Sequence, residues 1–523
     1  MRRWIIVAAA AAIALGGCGS GAQSGGAGRS GGHATLLTTL QPPTFDPASI
    51  ASVGAVEGPL GYAVYDNLFR VDYAAGTVIP RLAESITPDE AATVWTIKLR
   101  PGVTFSDGTP LDAGAVKFNW DRIKDNPQLG SGCSTTIEDF KAIDVKGPLE
   151  LRITLPEPRG SLPQQLFGSG QVRSGTCTNI ASPAALKKHG KSYGTSPQTT
   201  VGAGPFVLKE LVPGSHLTLE RNPRYWDAPR PYLDKLTVRQ APDITTSVNA
   251  VMSGAAHVAS VMAFTPDITR YKQAGFRYHL QPMNGAAMVI FNASRPPLDD
   301  PRVRRALTLA TDLDDLTKKN FAETVSPSDG WLTRSSLFYD AGRAAQLRQP
   351  TNDLAEAQRL IDSYVAEKGG PVTVTVPAAP TAIPTFTTLQ QQWRRLKNVQ
   401  VNIETVTGQV ATQRLLANQA QVALNQSGAN DPEAMVASFG TGGPQNYLKW
   451  SDPQLDAILA KARPETDPAR QKAHMVQAAE RLVQLNWFIM LYRPGAPTLV
   501  AKDLTNVKLH DPSQVDLAQL RFR

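Results

Sequence analysis

Charge, cysteine and histidine are all scarce in this 523-residue chain: 19% of residues are charged, and there are three cysteines and seven histidines. The formal net charge of +8 is spread thinly, its densest cluster being Arg302, Arg304 and Arg305, and aromatic residues do not alternate with basic ones. A nucleic-acid interface needs a concentrated basic face, so nucleic acid is not an expected partner. The histidines (33, 189, 216, 257, 279, 474 and 510) are far apart, so no close pair offers itself to a metal and none is assigned a metal role. The chain also lacks the zinc-protease motif His-Glu-x-x-His, the Ser-x-x-Lys nucleophile pair and the phosphate-cradling Gly-x-x-x-x-Gly-Lys. No catalytic residue and no cofactor is expected, and the protein is not read as an enzyme. Long apolar runs are missing too. None reaches the ~20 residues of a membrane span, while 42% hydrophobic residues suffice for a large buried core.

The N-terminus reads as an address. Arg2 and Arg3 precede an apolar stretch from Trp4 to Leu15, of signal-peptide length. It ends in Leu15-Gly16-Gly17-Cys18, which resembles a lipobox, in which small residues admit the peptidase and the Cys18 thiol accepts lipid. A plain signal peptide with an incidental cysteine is the alternative. The following residues, 19–33, are mostly Gly, Ser and Ala, a flexible tether. The expectation is a body held by lipid on the outer face of the cell membrane. With Cys18 so used, Cys133 and Cys177 remain as a pair in an oxidising compartment, and a disulfide is expected.

Strands and helices alternate without a repeat. Apolar and polar residues alternate from Thr93 to Leu99 and from Leu149 to Leu155, predicting half-buried strands. An amphipathic helix is predicted near Ala113 to Ile123, and glycines 102, 108 and 204 are read as turn residues. Val372, Val374 and Val376, a helix from Thr385 to Lys397, and Val399, Val401 and Ile403 predict a strand–helix–strand unit, hence an α/β fold with parallel neighbours. Asp300-Pro301, Asp452-Pro453 and Asp467-Pro468 each predict a helix start, aspartate capping free amides and proline fitting the first turn.

Four ordered stretches carry a resemblance. They are Leu99 to Leu111 (Leu-Arg-Pro-Gly-Val-Thr-Phe-Ser-Asp-Gly-Thr-Pro-Leu), Gly202 to Phe206 with Arg221 to Trp226, Phe291-Asn292 with Pro297 to Leu307, and Asp431-Pro432 with Asn446 and Ser451-Asp452-Pro453. Together they resemble the extracytoplasmic solute-binding proteins of the peptide/nickel importer family. The resemblance implies a periplasmic-binding-protein-like type II fold: two α/β lobes, with a subdomain inserted in the first. The first lobe would comprise residues 34–70, 196–284 and 491–523, the insert 71–195, and the second lobe 285–490. It also implies a monomer that captures a peptide or peptide-like solute between its lobes and delivers it to ABC permease subunits.

The expected site is thinner. In peptide-binding members an acidic residue a few positions before an Asp-Pro, in a Trp-containing loop, pairs with the ligand amine, but here Gly428 stands three before Asp431 in Leu424 to Pro432, and the loop has no tryptophan. Asn430 would meet ligand or serve a turn, and Asp431 would meet ligand or cap a helix. Trp331 would stack on ligand or fill core; Arg334 would pair with a carboxylate or lie solvated. Asn446, Tyr447 and Phe45 complete the candidate wall. A neutral oligosaccharide, a metal chelate, or a non-transporting envelope lipoprotein that binds a partner stay open as alternatives.

Overall fold

Half-buried alternating segments assemble the first lobe into one sheet. The computed structural model describes residues 29–523 except 39–40, 50–57, 73–76, 127–128, 130–133, 168–175, 242, 261–265, 280–285, 322–324, 326, 329, 333–335, 428–430, 494–496 and 509–514. The seven strands run, in spatial order, Arg277–His279, Thr498–Val500, Val258–Ser260, His33–Thr38, Lys235–Gln240, His216–Arg221 and Phe206–Val212. The central strand His33–Thr38 is parallel to both of its neighbours. Leu36, Leu217, Leu219, Leu236 and Val238 form its buried face. Gly102 and Gly108 hold the positive φ that tight turns need (76° and 87°). Gly204 acts differently: its N–H meets the Val64 carbonyl at 2.8 Å, and a Cβ there would lie 2.5 Å from the Val64 carbonyl carbon.

The insert has its own core. Strands Ala83–Pro88, Val94–Leu99, Glu150–Thr154 and Ala142–Gly147 form an antiparallel sheet. Helix Ala113–Lys124, capped by Asp112, buries Val116, Trp120 and Ile123. Most of the insert's apolar cluster lies between Leu68 and Ile180, and it also takes in Ala48, Tyr62 and Ala203. Beyond it, Ala181, Ala185, Leu186 and Tyr193 pack into the first lobe instead.

In the second lobe Ala286–Phe291 lies between Val422–Ser427 and Phe488–Tyr492, antiparallel to both. All six residues of Ala286–Phe291 are buried because apolar clusters cover both faces. The expected strand–helix–strand unit is present as Val372–Ala378, Ile383–Trp393 and Val399–Thr405, the strands parallel. Asp300, Asp452 and Asp467 each accept a first-turn amide, as their Asp-Pro pairs predict.

The chain passes between lobes twice. One passage leads from Arg277–His279 to Ala286–Phe291, the other from Phe488–Tyr492 to Thr498–Val500. The flanking strands pair with each other on both sides, so the two crossings leave and arrive side by side. Among the described residues no helix is long and apolar enough to cross a membrane.

Candidate solute-binding cleft

Open α/β sheets take ligands beyond the carboxyl ends of their strands. In the first lobe that place belongs to the segment following His33–Thr38, and Phe45 and Asp46 are fixed within it. The Phe45 N–H donates to the Gly194 carbonyl at 2.8 Å, and the Tyr65 hydroxyl donates to the Phe45 carbonyl. Asp46 accepts Arg122 Nη1 at 2.8 Å and the Ala48 N–H at 3.0 Å. Burial pushes the Tyr65 and Tyr193 phenols up, so both remain neutral donors. The Phe45 ring is fully buried among apolar residues. It anchors the segment as core.

In the second lobe Val422–Ser427 leads toward helix Pro432–Phe439. Asp431 is 1% exposed and accepts the Ala434 N–H at 3.0 Å, so its cap reading holds. Gly428, Asn430 and Arg334 lie outside the described residues. Trp331 packs edge-on against Phe439 with ring centroids 5.0 Å apart, and against Phe488 at 5.4 Å. Phe439 stacks on Trp450, and Trp450 on Trp487. Trp331 is therefore part of an aromatic core, not an open stacking face. Asn446 is buried too: its amide donates to the Gly440 and Trp450 carbonyls at 2.9 and 2.8 Å, and its Oδ1 accepts the Trp450 N–H at 2.9 Å. Its hydrogen bonds tie the turn before the Pro453–Ala462 helix. Tyr447, on the same turn, is half-buried.

Tyr492 was not singled out by sequence, yet it is the last residue of its strand before the second crossing. Its ring lies 4.3 Å from that of Phe321, and Pro327 bridges to its main chain. Burial raises its pKa, keeping a neutral hydroxyl beside the crossing. The available signal was a polar-tipped aromatic closing the apolar run Phe488-Ile489-Met490-Leu491. Next to it, Arg493 is 7% exposed and donates to the Gly330 carbonyl.

A buried charge network joins insert to first lobe. Asp66, fully buried, accepts Arg81 Nη2 at 3.0 Å, the Tyr225 hydroxyl at 2.8 Å and Trp226 Nε1 at 3.0 Å. Arg70 lies 3.6 Å from Asp66 and 3.5 Å from Asp516, and Arg81 reaches Asp227 at 3.0 Å. Burial alone would raise the Asp66 pKa; the Arg81 and Arg70 guanidiniums outweigh it and hold the carboxyl below the usual range. Tyr225 and Trp226 thus anchor through polar tips as well as rings.

Two α/β bodies joined by two passages of chain, the first carrying an insert, make a two-lobed protein of the type II periplasmic-binding fold, as expected from sequence. The chain belongs to the bacterial extracellular solute-binding proteins, family 5, whose middle region matches residues 77–447. It is 28% identical over 473 residues to the glutathione-binding protein GsiB of Escherichia coli K12, covering 86% of this chain and 85% of GsiB. Among solved structures it resembles NikA from Brucella suis in complex with Fe(III)-EDTA, at TM-score 0.79 and 21% identity, covering 94% of this chain and 100% of NikA. DppA from Helicobacter pylori, in complex with peptide STSA, matches at TM-score 0.72 and 19% identity, covering 94% and 98%. These relatives are binding proteins, not enzymes.

Proposed function

We propose that this protein is the lipid-anchored receptor of an ABC importer, closing its lobes on a peptide or peptide-like solute and presenting it to the membrane permease. The observation that carries the reading is that the strands flanking the two passages between lobes pair with each other in each lobe, an arrangement that suits a hinge around which a cleft would close. The GsiB likeness supports the peptide-like class. Cys18 would carry the lipid, placing the body outside the membrane. Asn430, Arg334 and Tyr447 are proposed to meet solute together with Tyr492, with Asp431, Trp331, Phe45 and Asn446 supporting them from the core. Gly428 offers no carboxylate, so recognition would rest on neutral hydrogen bonds and aromatic contact more than on an amine salt bridge.

We also propose a Cys133–Cys177 disulfide. Helix Ser134–Glu138, which directly follows Cys133, packs on Ala113–Lys124, and Trp120 of that same helix donates to the Cys177 carbonyl at 2.8 Å. Native mass spectrometry and thermal-shift assays on residues 19–523, which leave out Cys18, test the cargo. Glutathione, short peptides, neutral oligosaccharides and Fe(III)-EDTA are run side by side. A binder at a hundred times its Kd adds about 2.7 kcal/mol of apparent stability. Stabilisation by glutathione or a peptide is expected; stabilisation confined to sugars or the chelate contradicts the peptide assignment.

A further inference from the structure

The lobes meet at a second place, remote in sequence from either crossing. The insert turn around Gly160 touches the second-lobe turn between helices Pro453–Ala462 and Pro468–Leu485. The Gly160 N–H donates to the Arg463 carbonyl at 2.7 Å. A Cβ built on Gly160 would overlap the main-chain carbonyl of Glu465, an atom that cannot swing aside as a long side chain does. Arg463 then spans the join, with Nη1 3.2 Å from Glu157 of the insert and Nε 2.7 Å from Glu433 of the second lobe. Leu337 of the second lobe packs against the apolar clusters of both bodies.

Both faces of this contact are held from behind. On the insert side, the Arg159 carbonyl accepts Trp95 Nε1 at 3.1 Å, its N–H donates to the Ala92 carbonyl at 2.9 Å, and its guanidinium pairs with Asp139. Ser161, beyond Gly160, is fully buried and accepts Gln165 Nε2 at 3.1 Å. On the other side, the Glu465 carbonyl accepts Gln471 Nε2 at 2.8 Å, and its carboxylate binds Arg470 and the Asp467 N–H. Neither turn is free to yield, so the fit depends on residue 160 having no side chain.

We propose that Gly160 and the Arg463–Glu465 turn form a latch that limits how far the lobes open before any solute binds. The latch ends on Glu433, in the first turn of the helix that Asp431 caps, and so adjoins the candidate solute loop. The inference rests on the hinged-receptor reading for its purpose, but its existence is testable without any solute. The Glu157–Arg463 pair is largely exposed on the glutamate side and adds little; the main-chain contact dominates.

The test is an interlobe distance distribution on solute-free protein, with spin labels on non-natural residues at the exposed positions Leu149 and Leu416. Gly160→Ala should shift the distribution to longer, broader distances. Glu157→Lys, at an exposed side chain facing Arg463, should shift it the same way by less. Thermal unfolding is measured in parallel. If Gly160→Ala does not fold, Glu157→Lys decides. Distributions matching wild type in every folded variant would overturn the latch. They would leave the solute screen, and with it the receptor reading, untouched.

Discussion

Asp66 shows how much one residue organises here. Tyr225, Trp226 and the two arginines Arg70 and Arg81 converge on it, and Arg81 reaches on to Asp227. Its folded pKa lies below the unfolded value, so the stabilisation is fully present above the ordinary carboxylate range. It is lost as pH falls through the folded pKa. Asp66→Asn should cost roughly 3–5 kcal/mol at neutral pH, the range for breaking a buried pair, and should flatten the acid side of the melting-temperature profile. Tyr492 belongs to binding rather than folding in this account. Tyr492→Ala should weaken whichever solute binds by ~1 kcal/mol, about fivefold, through loss of its aromatic surface beside Phe321, while Tyr492→Phe should lose less. Calorimetry on the two variants checks the order. At this scale sequence was a poor guide. Trp331, Phe45 and Asn446 are the aromatics and amides a cleft would use, but the same groups also fill cores and tie turns. Only packing against Phe439, the Gly194 carbonyl and Trp450 tells which.

Elements were far more legible, because period and capping are local. The Asp-Pro starts at 300, 452 and 467, the alternation through Val94–Leu99 and Glu150–Thr154, and the parallel pair Val372–Ala378 and Val399–Thr405 all follow from neighbours in sequence. Helix Pro183–His189 was harder to place. Nothing local says that Ala185 and Leu186 pack on the first lobe instead of the insert they follow; long-range burial decides it. Asp431 sits between the two cases, an N-cap by geometry at the edge of the candidate loop. Asp431→Ala should cost ~1 kcal/mol of stability from the lost cap. Asp431→Asn keeps a capping oxygen and should restore most of it in thermal unfolding. If solute affinity falls in Ala and returns in Asn, the residue acts on solute through the helix.

As a whole, the molecule is a two-lobed body to which the proposed tether would join. The described chain starts at Arg29, whose N–H donates to the Phe522 carbonyl, so the proposed tether meets the body at the first lobe. Cys18→Ser should move the protein from the membrane fraction to the soluble fraction, measured by fractionation of expressing cells; unchanged membrane retention would contradict lipidation at that residue. On the proposed reading the lobes move about the crossings, and the Gly160–Arg463 contact limits how far they open. Small-angle scattering of residues 19–523 tests that motion most directly, with and without a saturating amount of the peptide or peptide-like solute that stabilises the protein. The account predicts a smaller radius of gyration when solute is bound, as the lobes close on it. An unchanged or larger radius at saturation would contradict it.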